Sequence, residues 1–415
     1  MIDRTLGKIK IVITTTAICV LLGVGLSLTA IAQDNNNNNN RKPIPNRFPP
    51  NPLELRTRDP LIPRSRRDRR PLTEEEKGRL ATALDELNTQ AAAKLQAGDE
   101  KGALEIWYRE LRLRRYLGLL PEVQALSRVG GIAWDRNLRD DVQYISKRLQ
   151  TIQKQLKPPT DLELLRSLAT GFEQVRSPDW AVKVYEQILA AMRQQEDAPG
   201  EEATLLKIGD LSLSWFDYPK AIIAYQELLK KAEERSDRVK QIAYLKQLAY
   251  IYAKDSQIQK AIVAKQQLIE LYRNEQDFAQ IPIIQLDIGS NYQAIGNLEQ
   301  AAQTYQEAYA FAWSIQLYAS AADALRKLVA LQLSLKQTEN ALSTLQVLVK
   351  ADELANNFFG MMNTYDEMAQ LYLELKNYPQ ALAAFQSGLE IAQKLKYRET
   401  YFARQIQEVK RQANR

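Results

Sequence analysis

Residues 281–310 read IPIIQLDIGSNYQAIGNLEQAAQTYQEAYA, and this stretch contains the pattern that decides the fold. A large apolar residue and a very small one stand side by side at Ile288 and Gly289, and Ala301 follows twelve positions after the small one. The alanine recurs every forty residues, at Ala181, Ala221, Ala261, Ala301, Ala341 and Ala381. A fixed period of this length is typical of a solenoid, in which similar units stack in a row.

Each forty-residue unit predicts two helices joined by a short polar turn. The position twelve before the alanine is mostly very small, and it is occupied by Ala169, Gly209, Ala249, Gly289, Val329 or Ala369. In most units an aromatic or other large apolar residue stands four after the alanine, a spacing that puts both on one helical face. Three positions depart from the pattern, because Lys265, Ser212 and Gln332 stand where a large apolar residue is expected.

The pattern resembles the tetratricopeptide repeat (TPR) family, which has small residues at the same two places and a large-small-aromatic sequence before them. The resemblance covers six units, from Asp161 to Lys396. It implies an all-α fold, a right-handed α-solenoid of stacked helix-turn-helix repeats. The common TPR unit has about 34 residues and a proline near its end. Since the step here is forty and that proline is absent, we expect longer second helices.

The first 32 residues predict either a signal peptide or a membrane anchor. Three basic residues precede Ile11–Gln33, which has no charge, and Ala30-Ile31-Ala32 fits a signal-peptide cleavage site. Cleavage there predicts export to the periplasm or another extracytoplasmic lumen. The uncharged segment, residues 11–33, is also long enough to anchor the chain in a membrane, and basic residues on both sides leave its orientation open.

Residues 33–72 predict a disordered linker rich in Asn, Pro and Arg. The segment contains the homopolymer Asn35–Asn40 and eight prolines, a composition that buries too little apolar surface to fold. From Arg41 to Leu72, Lys and Arg outnumber Asp and Glu ten to three, so the chain's net charge of +6 comes from here. Residues 41–70 therefore serve either as a solvated spacer or as a contact with an anionic membrane surface. Nucleic acid is not expected, because aromatic residues are not interleaved beyond Phe48.

Order is expected to begin at Thr73, which forms a capping box with Glu76. Residues 73–160 predict two divergent TPR-like units, one around Ala91 and Ala103 and a more degenerate one around Gly130. A proline-containing break over 157–161 precedes the six repeats of residues 161–396. Residues 397–415 predict a C-terminal capping helix, because Phe402, Ile406 and Val409 fall on one helical face.

The composition argues against an enzyme. The chain has no histidine, and its one cysteine, Cys19, lies in the apolar N-terminal segment. Histidine-based catalysis and metal binding are therefore excluded, and thiol chemistry is excluded once that segment is removed. Neither a GxxxxGK nor a GxGxxG motif is present. We expect no cofactor and no metal.

The resemblance to TPR proteins implies that first helices line a concave groove, in which another protein or a peptide binds. Ten positions follow from it: Arg166, Thr170, Asp210, Lys246, Tyr250, Asp287, Ser290, Arg326, Asp366 and Gln370. Arg166, Lys246 and Arg326 recur in alternate units and suit an acidic or C-terminal peptide; the other interpretation is that they are ordinary solvated residues.

The sequence thus predicts a non-enzymatic scaffold for protein–protein interaction outside the cytoplasm, one that assists assembly of an envelope or membrane complex. The alternative is a membrane-tethered regulatory or sensor module whose solenoid faces the cytoplasm.

Overall fold

The computed structural model describes residues 51–55, 59–62, 70–157 and 160–414. These ranges contain a short 3₁₀ turn, Pro52–Glu54, and seventeen α-helices and no strand. The helices are α1 (Glu74–Gln96), α2 (Glu100–Arg114), α3 (Leu119–Asp135), α4 (Arg139–Gln155), α5 (Leu162–Gln174), α6 (Pro178–Gln194), α7 (Ala198–Ser214), α8 (Tyr218–Glu234), α9 (Arg238–Lys254), α10 (Ile258–Asn274), α11 (Gln280–Ala294), α12 (Leu298–Ser314), α13 (Tyr318–Ser334), α14 (Thr338–Leu354), α15 (Phe358–Glu374), α16 (Tyr378–Leu395) and α17 (Glu399–Ala413). Each helix from α5 onward packs on the next along the chain. The all-α solenoid of stacked helix pairs is confirmed.

The forty-residue period consists of two similar halves of twenty residues. Four of the six first helices have 17 residues, as do α6, α8, α10, α12 and α14, and α16 has 18. The second helices thus have 17 or 18 residues, and the length of the unit is shared with the first helices, four of which also have 17.

A residue in the left-handed backbone region ends every helix from α5 to α16, at steps of twenty: Arg176, Glu196, Phe216, Ser236, Ser256, Gln276, Gly296, Gln316, Lys336, Asn356, Lys376 and Lys396. The turn between α7 and α8 shows how it closes. The backbone N–H of Asp217 donates to the carbonyl of Ser212 at 2.8 Å, and that of Phe216 donates to Leu213 at 3.1 Å, which satisfies the last carbonyls of α7. The carboxylate of Asp217 then caps α8 by accepting from the N–H of Lys220.

The six alanines at forty-residue steps are fully buried between the two helices of their units. The small partner position explains why they fit. A Cβ added to Gly209 would lie 2.9 Å from the ring of Tyr225, and Gly289 is crowded in the same way by Tyr305. In these two units, glycine therefore leaves room for the tyrosine ring.

The N-terminal end is ordered earlier than the sequence predicts. The capping box of Thr73 and Glu76 is confirmed at the start of α1, but Leu53 already lies buried against α2 and its neighbours. Arg109 donates two hydrogen bonds to Asp59, at 2.7 and 2.9 Å, and Arg112 donates to the carbonyl of Pro52 at 2.7 Å. The expected disorder of residues 33–72 is therefore wrong for 51–55 and 59–62, because these contacts stabilise them. Most of that segment, like residues 1–32, lies outside the described residues.

The C-terminal helix α17 packs on α16 and buries Phe402, Ile406 and Val409. A Cβ on Gly388 would collide with the ring of Phe402, so the glycine allows α17 to approach closely. The predicted capping helix is confirmed. Within the ranges that the structure describes, no helix is both long enough and apolar enough to cross a membrane.

Candidate functional site: the face formed by the first helices

The ten residues predicted for the groove all lie on first helices, on α5, α7, α9, α11, α13 and α15. Their side chains are exposed or half-buried, whereas the large-small pair of each of these helices is buried. We call the surface that these side chains share the first-helix face. Contact between α11 and α13 shows that first helices of consecutive units meet directly at this point of the array.

A groove of about 410 Å³ lies where α11 and α13 meet. Three of the ten predicted residues, Asp287, Ser290 and Arg326, line it together with Ile283, Leu286, Asp323 and Lys327. The side chain of Ile283 is 53% exposed, which is unusual for an isoleucine. The groove therefore offers an apolar surface bordered by charges of both signs.

Two of the groove residues are held by neighbours on second helices. Asp287 lies 3.6 Å from the ammonium group of Lys265, one of the residues that break the apolar pattern. Burial lowers the pKa of Lys265, and Asp287 opposes this effect. Ser290 donates to the carbonyl of Leu286 at 2.9 Å and lies 3.2 Å from the hydroxyl of Tyr305. These contacts hold Asp287 against α10 and Ser290 against α12.

The three basic residues that recur in alternate units, Arg166, Lys246 and Arg326, differ in their contacts. Arg326 donates to Asp323 at 2.9 Å and to Asp352 of α14, and the side chain of Asp352 is completely buried. A buried carboxylate is costly unless it is paired, so Arg326 stabilises the fold whatever else it contacts. Arg166 and Lys246 are exposed, and the ammonium group of Lys246 lies 5.6 Å from the ring centroid of Tyr272.

Two further predicted residues face the capping helix. Asp366 accepts hydrogen bonds from Arg398 at 3.0 Å and from the Tyr401 hydroxyl at 2.8 Å. Gln370 donates to the same hydroxyl at 3.4 Å. Through these hydrogen bonds, Asp366 and Gln370 hold α17 against α15.

The remaining predicted residues lie on α5, α7 and α9. Asp210 accepts from the hydroxyl of Tyr225, and burial together with this hydrogen bond raises the pKa of the tyrosine. Thr170 bonds to the backbone of its own helix. The Tyr250 side chain is exposed and lies beside Lys254, whose ammonium group is 5.5 Å from the ring centroid. Thr170 and Tyr250 are therefore available to a partner together with Arg166 and Lys246.

A second cavity, of about 940 Å³, lies between α4 and the α5–α6 turn, away from all ten predicted residues. The sequence signal nearest to it is the break over 157–161 and the degenerate unit around Gly130. That signal indicates an irregular junction between repeats. The spacing of the repeats does not predict which side chains line the cavity.

Across the described ranges, no group of three or more His, Cys, Asp or Glu side chains is arranged to hold a metal ion. The buried carboxylates found there have structural partners. Glu110 is bound by Arg114 and Arg128, and Glu122 by Arg115 and Arg148. Arg128 of α3 thus joins α3 to α2, and Arg148 of α4 joins α4 to α3.

The chain matches no protein-family model, and no curated protein matches it. Solved structures resemble it at low identity. BtubC from P. vanneervenii is 16% identical over 52% of this chain and 91% of its own, with a TM-score of 0.35. Aspartyl phosphate phosphatase F from Bacillus subtilis is 16% identical over 69% and 78%, with a TM-score of 0.37.

A third solved structure carries the TPR name in its description. It is a signal transduction ATPase with numerous domains from Pyrococcus horikoshii, with a tetratricopeptide repeat sensor, 15% identical over 82% of this chain and 53% of its own, with a TM-score of 0.34. At these scores none of the likenesses transfers a function. The helix pairs described above, with their buried alanines at forty-residue steps, form the repeat array that the resemblance to TPR proteins implies.

Proposed function

We propose that this chain is a non-enzymatic scaffold that binds a partner protein on its first-helix face, outside the cytoplasm, and assists assembly of an envelope or membrane complex. The observation that carries the proposal is the groove between α11 and α13. Residues predicted from two different units meet there, next to the exposed side chain of Ile283. An exposed apolar side chain within a charged rim is the usual composition of a protein-binding surface.

Export is the part of the proposal that rests on sequence alone. It depends on the uncharged segment 11–33 and on Ala30-Ile31-Ala32, all outside the described residues. Intact mass of the chain purified from its native source tests it: loss of residues 1–32 supports export, whereas a full-length mass in the membrane fraction supports the tethered alternative.

Partner binding is tested by crosslinked capture from the membrane and soluble fractions with the full-length chain as bait. The groove variant carries Ile283→Arg and Lys327→Glu. Arg326 is left unchanged, because its loss would remove the ion pair of buried Asp352 and leave that carboxylate only its hydrogen bonds from Asn357 and Thr364. We expect one captured protein to decrease at least about tenfold with the variant, since a buried charge at an interface costs several kcal/mol.

The matched control carries Ile223→Arg and Lys230→Glu on α8, a second helix. Ile223 is 64% exposed, and Lys230 is also well exposed, so the chemical changes are the same on another face. Capture that the control preserves and the groove variant abolishes supports binding at the first-helix face. Equal capture by all three baits refutes that assignment.

A further inference from the structure

The 940 Å³ cavity lies beside the α3–α4 and α5–α6 turns, which are the turns within two consecutive helix pairs. It extends along one side of α4, and residues of both turns close its end. Its lining consists of Trp134, Asn137, Arg139, Val142, Gln143, Ser146, Lys147, Gln150, Val175 and Ser177. This volume is in the range of sites that hold ligands or peptide side chains.

The cavity exists because the stacking changes at this junction. From α6 to α15 each second helix packs extensively on the next first helix, but α5 packs mainly on α3 and touches α4 only slightly. Glycines on α3 allow that approach: a Cβ on Gly130 would lie 2.6 Å from Val175, and one on Gly131 would lie 2.5 Å from Gln174. With α5 against α3, the space between α4 and the α5–α6 turn stays open.

The cavity is positively charged. Arg139 and Lys147 are exposed, and within the part of the chain that the structure describes neither makes an ion pair, unlike Arg148 beside them. No carboxylate lines the cavity. Asp141, in the first turn of α4, points to α2, where it accepts from the hydroxyl of Tyr108.

Two helix N-termini add to this charge. The N-cap residues of α4 and α6 are Leu138 and Ser177, and neither side chain caps its helix. The hydroxyl of Ser177 lies 3.0 Å from that of Ser146 instead. The N–H of Arg139 donates to the carbonyl of Asn137 and that of Trp180 to the carbonyl of Ser177, and Pro178 has no N–H. The N–H groups that remain for an anion are therefore those of Asp140 and Asp141 in α4 and of Asp179 in α6.

Apolar surface lies beside the charges. The Trp134 side chain is 43% exposed, with the guanidinium of Arg176 5.7 Å from its ring centroid, and Val142 and Val175 extend the apolar lining. From Arg139 to Gln150 the α4 side of the cavity is roughly 16 Å long at 1.5 Å per residue. That length corresponds to about five residues of an extended peptide.

We propose that this cavity binds a short acidic peptide segment of a partner protein. Its carboxylates meet Arg139, Lys147 and the N-terminus of α4, and an apolar side chain of the peptide packs on Trp134. This site deepens the proposed scaffold function and rests on it, but it is separate from the first-helix face.

The test is selection of a random eight-residue peptide library on the immobilised full-length chain. We expect the recovered peptides to be rich in Asp and Glu with at least one aromatic or aliphatic residue. Their affinity should fall at least about tenfold in the Arg139→Glu/Lys147→Glu variant, because attraction becomes repulsion, and it should weaken with added salt. Circular dichroism confirms that each variant is folded.

Matched controls carry the same changes elsewhere. Lys230→Glu/Lys376→Glu reverses two exposed charges, and Trp215→Ala is compared with Trp134→Ala, since the two tryptophans are similarly exposed. Recovery of no acidic peptides, or equal binding to the Arg139→Glu/Lys147→Glu variant, overturns the proposal. If Ile283→Arg/Lys327→Glu abolishes binding and Arg139→Glu/Lys147→Glu does not, the scaffold function stands and this site is wrong.

Discussion

At the scale of single residues, Gln285 occupies a core position of α11 at which four of the other five first helices carry a leucine, namely Leu165, Leu205, Leu245 and Leu325. Its side chain is buried, and its carbonyl oxygen has no hydrogen-bond partner. We expect Gln285→Leu to raise the free energy of unfolding by about 1–2 kcal/mol, because it removes an unsatisfied polar atom and adds apolar burial. Urea unfolding followed by circular dichroism measures the change.

Gln241 is the control for this prediction. It is also buried, but it donates to the carbonyl of Ala232 at 3.0 Å and accepts from Arg238 at 2.9 Å. Gln241→Leu therefore removes two hydrogen bonds and should not stabilise the protein. If both substitutions stabilise it equally, hydrogen-bond satisfaction is not the reason.

Lys336 illustrates the cost of the left-handed turn residues. Its φ is +58°, a conformation that disfavours residues with a Cβ by roughly 1–2 kcal/mol. Lys336→Gly should therefore raise stability by about 1 kcal/mol, measured as a higher Tm. Lys327→Gly, inside α13, should lower it by about 1 kcal/mol. A decrease for both variants would mean that the turn is not strained.

At the scale of elements, residues 51–55 and 59–62 form an N-terminal strap on α2, and Leu53 is its apolar contact. Leu53→Ala should reduce local stability by about 2–3 kcal/mol, whereas Leu55→Ala, at a residue that is 43% exposed, should stay within about 0.5 kcal/mol. Because a solenoid couples mainly nearest neighbours, hydrogen exchange should increase in α1 and α2 and remain unchanged in α15 and α16. An increase throughout the array would contradict local coupling.

The strap also predicts a pH dependence. The hydrogen bonds of Arg109 hold the pKa of Asp59 below its ordinary value of 3.8, against the opposing effect of burial. A lowered folded-state pKa stabilises the fold above the unfolded-state pKa, and this contribution is lost as the pH falls through the folded-state value. Hydrogen exchange in α2 should therefore increase at pH 3 relative to pH 5 after correction for intrinsic rates. In Asp59→Asn the difference should shrink, and an unchanged difference would assign the effect to other carboxylates.

The sequence predicted the units of the array well and the limits of the elements less well. The spacing of apolar residues predicted a step of forty residues and not of twenty, because the two helices of a unit have different patterns of buried residues. The sequence does not show the twenty-residue half-step. That step is marked by a positive backbone φ, which residues as different as Arg176, Phe216, Lys336 and Gly296 adopt. The sequence does not reveal the strap, for another reason. Asp59 lies in a proline-rich, basic segment, and its partner Arg109 lies 50 residues further along the chain.

At the scale of the whole molecule, long-range pairing decides which exposed residues can bind a partner. Spacing alone made Arg326 equivalent to Arg166 and Lys246. Its partner Asp352, however, stands where the other units carry no charge: Met192, Ala232, Tyr272, Ala312 and Ala392. That substitution in α14 turns a surface cation into a structural one. The cavity beside α4 arises in the same way from glycines on α3, which change how α5 stacks.

Gly130 therefore lies where the first four helices pack on the regular array, and its substitution tests that packing. In Gly130→Ala the new Cβ meets Val175 at 2.6 Å and Ile145 at 3.3 Å, so α3 and α5 must separate or repack at a cost of about 1–3 kcal/mol. We expect faster hydrogen exchange in α3, α4 and α5 and weaker binding of acidic peptides. Gly78→Ala, where no atom lies within 4 Å, should instead stabilise α1 by about 0.5–1 kcal/mol. If Gly130→Ala behaves like Gly78→Ala, close contact between α3 and α5 does not hold the junction together, and the cavity must have another cause.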